Sequence, residues 1–67
     1  MLSARNQLKG TIKSVKLGTV MAEVVLTVGN VEVVSVITRE SVERMKLKAG
    51  DAAAAVIKAT AVMILKG

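Results

Sequence analysis

The 67-residue sequence has no cysteine, no histidine and no aromatic residue. Each absence removes a class of solution. Without Cys or His there is no disulfide, no thiolate or imidazole for a structural metal, no thiol nucleophile and no imidazole general base. A chain this short hides only about 60% of the surface that its unfolded form exposes. Small domains usually compensate with disulfides, metals or association, and here only association is left. The missing aromatics matter twice. The core has to be built from Val, Ile, Leu, Met and Ala, and there is no platform on which unpaired nucleobases could stack.

Long hydrophobic runs are missing too. The uncharged stretch between Asp51 and Lys58 holds only Ala, Val and Ile and is far too short to cross about 30 Å of hydrocarbon as a helix, so no membrane segment is expected. Met1-Leu2-Ser3 leads directly into polar and charged residues without the apolar region of a secretory signal, so a cytoplasmic location is expected. No pair of carboxylates has a recognisable motif spacing, and the glycines form no phosphate loop. A Ser or Lys without partners is poorly activated, so no enzymatic activity is expected and no metal is expected on direct protein ligands.

What is present is an apolar fraction of 52% arranged with strand periodicity. In LKGTIKSV, Leu8 and Ile12 share one side while Lys9, Thr11 and Lys13 share the other. In Ala22–Val28, Ala22, Val24, Leu26 and Val28 lie opposite Glu23, Val25 and Thr27. In Val31–Thr38, Val31, Val33, Ser35 and Ile37 lie opposite Glu32, Val34 and Val36. Gly29-Asn30 joins these two runs as a two-residue hairpin turn. The extra Val25, Val34 and Val36 on the outer face point to contact with another subunit. TRESVERMKL then reads as a helix of two to three turns, capped by Thr38, with Glu40 in its first turn and Arg44 and Lys46 near its end. Ala52–Lys58 suits a helix by propensity but runs into Val56-Ile57, which favours a strand, and Val62–Leu65 is expected to add another. The whole chain, residues 1–67, reads as a single all-β domain with one short helix. Its expected architecture is an OB-like five-stranded barrel.

The net charge of +5 favours anionic partners. Three segments supply hydrogen-bond donors. Ser3-Ala4-Arg5-Asn6 offers a hydroxyl, a guanidinium and an amide. Thr38-Arg39-Glu40-Ser41 places two hydroxyls at a helix start, and Lys58-Ala59-Thr60 adds a cation and a hydroxyl. Taken singly, each more often has a plain explanation: a solvated terminus, an ordinary helix cap and a surface lysine. Taken together they have a common character, because each supplies donors and none needs a carboxylate, which suits a dianion. Single-stranded nucleic acid is the competing ligand for a basic OB-like barrel, but it lacks both the aromatic platform and a clustered basic tract.

The segments SARNQLKG (Ser3–Gly10), AEVVL (Ala22–Leu26), ITRESVE (Ile37–Glu43) and VIKATAVMIL (Val56–Leu65) resemble the molbindin, or Mop, family of TOBE-type molybdate- and tungstate-binding domains. The resemblance runs nearly the whole length in the same order. It implies an oligomer with strand exchange between subunits, a hexamer built as a trimer of dimers, and molybdate or tungstate held at interfaces for storage, with no further cofactor. A chain that begins with Met and contains only this module resembles the stand-alone storage form. By the same resemblance the anion is held by Ser3 and Arg5, by Thr38 and Ser41, and by Lys58. Ala4, Asn6, Ala59 and Thr60 complete the expected oxyanion-binding set; Ala59 stands where the family often has a serine, which leaves a backbone N–H there and Thr60 as the substitute hydroxyl.

Overall fold

In the computed structural model, which describes residues 6–67, the alternating segments form four strands: β1 (Asn6–Leu17), β2 (Met21–Val28), β3 (Val31–Thr38) and β4 (Ala52–Ile57). A seven-residue helix, α1 (Arg39–Met45), lies between β3 and β4, and a 3-10 turn spans Ala59–Ala61. All pairings are antiparallel and the sheet order is β3-β2-β1-β4. The hairpin closes at Gly29-Asn30 with positive φ at Gly29 only, the pattern of a type II′ turn, whose twist matches that of the flanking strands.

One face of the sheet carries the core. Ala22, Val24 and Leu26 of β2 are buried with Ile12 of β1 and Val42 of α1, and Val15, Val28, Val33, Ile37 and Leu47 pack around them. Strict alternation from Ile12 would send Val15 to the opposite face. The β1–β2 register instead slips between Ile12 and Ser14, so that Ile12 opposes Leu26 and Val15 opposes Val24. A bulge at Lys13 therefore resets the phase and puts both apolar residues on the core side. The displaced Lys13 pairs with Glu32 across the outer face. Near the start of β1, Gly10 lets β2 cross closely: a Cβ there would lie 2.2 Å from the Thr27 carbonyl oxygen.

The helix forms where its caps allow. The Thr38 side chain accepts from the Ser41 amide, 3.1 Å away, and the Arg39 amide donates to Val20 O, so two of the first free N–H groups are satisfied. At the other end Lys46 takes φ 55°, and the Lys46 and Leu47 amides return to Glu43 O and Val42 O, which stops the helix. Val42 is its one fully buried side chain, contributing about 1.5–3 kcal/mol by removal from water.

The expected OB-like five-stranded barrel, with its exchanged strand, is corrected by this topology. The sheet is open and four-stranded, with β3 and β4 as its outer strands. A 3-10 turn follows β4 at Ala59–Ala61, and Val62–Leu65, expected as the fifth strand, forms no strand in this chain. Met63, Ile64 and Leu65 are 90–93% exposed. Between β3 and β4 lies an apolar cleft of about 470 Å³, lined by residues such as Val33, Ile37, Leu47 and Ala55. On the outer face Val34 and Val36 are 60% and 62% exposed, as the alternation in β3 predicted.

Candidate functional site

The donors expected from the sequence are sorted by register into two groups. At one end of the sheet Asn6, the first described residue of β1, stands opposite Ile57, the last of β4. The Asn6 carboxamide donates to Ile57 O at 3.3 Å. Lys58 follows in extended geometry (φ −62°, ψ 137°), and its carbonyl accepts from the Ala61 amide at 2.9 Å. Because Ala61 supplies the first bonded amide of the turn, those of Ala59 and Thr60 lie ahead of its hydrogen bonds. Lys58, Ala59 and Thr60 are all exposed, and among the described residues Lys58 has no ion-pair partner. This end offers an ammonium, a hydroxyl and two backbone N–H groups.

At the other end, Thr38 closes β3 opposite Met21 of β2. Its hydroxyl oxygen accepts from the Ser41 amide, and its hydroxyl donates to Ser41 Oγ at 2.8 Å. The cap reading of Thr38 therefore holds, and it leaves the Ser41 hydroxyl hydrogen free to donate outward. Arg39 is a residue whose role the sequence reading missed. Its guanidinium donates to Gly18 O at 3.2 Å and to the Glu43 carboxylate at 3.3 Å, tying the helix start to the β1–β2 connection. The four-residue spacing of Arg39 and Glu43 on a helix was the available clue. The open cleft beside it, about 380 Å³, is lined by Thr19, Val20, Thr38, Arg39, Glu40 and Glu43. Two carboxylates there disfavour an anion, so this cleft is unsuited to one and the useful donor at this end is Ser41.

Register places the two groups at opposite ends of β1, and no hydrogen bond joins them among the described residues. β1 has twelve residues, with Asn6 at one end and Leu17, opposite Ala22, at the other. The two groups are thus eleven residue steps apart along β1. Ser3, Ala4 and Arg5 lie outside the described residues. Among the described residues there is no grouping of three or more acidic side chains able to hold a metal ion, and no helix is long and apolar enough to cross a membrane.

Comparison with known proteins gives this arrangement its context. The family model of the TOBE domain matches residues 2–64. The sequence is 52% identical over 65 residues to molybdenum-pterin-binding protein 3 of Clostridium pasteurianum, with 96% of each chain covered. The fold matches the structure of a molybdate-binding protein from Sporomusa ovata with a TM-score of 0.94 and 41% identity over 98% of each chain. It also matches the cytoplasmic molybdate-binding protein ModG in a molybdate-bound form, with a TM-score of 0.83 and 48% identity, over 88% of this chain and 43% of that one. With nearly all of its length matched in both sequence and fold, the chain belongs to the TOBE-domain family, in its molbindin-type branch.

Proposed function

We propose that this protein binds molybdate or tungstate, without catalysis, at interfaces between its own copies, and that it serves to store or balance these anions in the cytoplasm. The reading is carried by the separation of the two donor groups along β1, in a chain whose relatives are molybdenum-binding proteins. A pocket that uses both groups needs two copies. One copy would supply Lys58, Ala59 and Thr60 with Asn6 beside them, and another Thr38 and Ser41, while Arg5, with Ser3, would reach the anion from a different copy than Lys58 does. The donors are neutral or cationic, which suits a tetrahedral dianion. A pterin is the poorer ligand, because the chain has no aromatic side chain to stack on its rings.

Assembly as a homo-oligomer is supported by the exposed Val34, Val36 and Met63–Leu65, more apolar surface than a chain of this size leaves in water. A hexamer built as a trimer of dimers is the arrangement proposed. Calorimetry with molybdate, tungstate and sulfate, together with native mass spectrometry, tests the reading. Molybdate and tungstate should bind with micromolar or tighter affinity and sulfate weakly, on a species whose mass is a multiple of the 7.0 kDa chain. Equal affinity for sulfate, or no binding of molybdate, would overturn it.

A further inference from the structure

The carboxamide of Asn6 faces the chain rather than standing free. Its Nδ2 donates to the carbonyl of Ile57, and that carbonyl shares a rigid peptide plane with the Lys58 amide. The following carbonyl, of Lys58 itself, is held by the Ala61 amide at 2.9 Å. Both peptide planes flanking the Lys58 Cα are therefore fixed by hydrogen bonds, one from a side chain on β1 and one from the turn. Two fixed planes determine φ and ψ, and with them the direction in which the Lys58 side chain leaves the backbone. Among the described residues Asn6 and Ile57 are the outermost pair of the β1–β4 ladder, so the clamp adds a side-chain bond to a backbone pairing already in place.

We infer that Asn6 is a positioning residue: its carboxamide clamps the Ile57–Lys58 peptide and so aims the Lys58 ammonium and the turn amides behind it at the anion. This rests on the proposed oxyanion function, while the clamp itself can be observed without ligand. In Asn6→Ala, amide exchange at Ala61 and Val62 should accelerate several-fold while the β2 amides are unchanged. Molybdate affinity, measured by calorimetry, should fall about 3- to 10-fold, the scale of one lost hydrogen bond. Double-mutant cycles separate this role from others. On a Lys58→Ala background the Asn6→Ala loss should shrink to less than about 2-fold, and on a Ser41→Ala background it should persist in full. An equal loss on both backgrounds would make Asn6 a direct ligand and overturn the inference, as would a loss that shrinks on both, which is the mark of general loosening. Unchanged exchange in Asn6→Ala would remove the clamp. If the wild type binds no molybdate while exchange responds as expected, the functional reading fails and the aiming role falls with it, but the clamp stands.

Discussion

The separation of the two donor groups can be tested by asking whether two damaged chains repair each other. Lys58→Ala removes the cation at one end of the sheet and Ser41→Ala the free hydroxyl at the other. Losing a charge-assisted hydrogen bond at Lys58 should cost about 1.5–3 kcal/mol, or roughly 10- to 150-fold in molybdate affinity. Losing the neutral hydroxyl of Ser41 should cost less, about 0.5–1.5 kcal/mol before any penalty for a partner left unpaired. The variants are then unfolded together in equal amounts and refolded so that subunits mix. A site that takes Lys58 from one chain and Ser41 from another is intact only when the first chain is the Ser41 variant and the second the Lys58 variant. Random mixing gives this for about one quarter of the sites, leaves about one quarter doubly damaged, and leaves the remaining half singly damaged. Titration at protein concentrations well above the wild-type Kd should recover tight binding in about that quarter, with native mass spectrometry confirming that mixed oligomers formed. A site built within one chain allows no repair. Mixed oligomers without a tight fraction would therefore refute the argument from register. Lys13→Ala is the control, because Lys13 is already paired with Glu32, and it should leave affinity within about 2-fold of wild type.

Two further predictions concern the scaffold, and both are read by far-UV circular dichroism during urea unfolding at fixed protein concentration, since there is no aromatic residue to report by fluorescence. Gly10→Ala would bring a Cβ to 2.2 Å from Thr27 O and 2.9 Å from a Val28 methyl, and should destabilise by about 1–3 kcal/mol as β1 and β2 are forced apart; a change within about 0.5 kcal/mol would show that the crossing is looser than it is drawn. Lys46→Gly relieves the left-handed backbone at φ 55° and should stabilise by about 0.5–1 kcal/mol, whereas a lowered midpoint would mean that the lysine side chain contributes more than its backbone costs.

The legible parts of this fold were those determined locally. The hairpin was readable because Gly29-Asn30 interrupts two runs of period-two alternation, and α1 because Thr38 caps it and Val42 turns inward. The bulge at Lys13 was not readable: nothing in LKGTIKSV marks a register slip, and only the partner strand, which places Val24 opposite Val15, shows that one occurs. Val62–Leu65 was misassigned for a related reason. An apolar run announces that it will be buried, but its composition does not say against which chain. At the site, residue types were informative and their grouping was not. Thr38 and Ser41 could be nominated as donors, yet their distance from Lys58 follows from strand pairing. Asn6 reads as a free amide in a polar segment until Ile57 O is found in front of it.

On the proposed arrangement, the unlike ends of β1 make each chain a bifunctional unit in the polymer sense. Two copies can satisfy each other reciprocally about a two-fold axis, or a larger number can pass the contact around a ring. A contact that does neither continues as a filament, with one unmatched half-site at each tip. Closure removes the tips. In any closed assembly every Lys58 end then meets a Ser41 end, so sites of this kind equal chains in number, and the anion becomes a measure of closure: an open or broken assembly falls short of one ligand per chain.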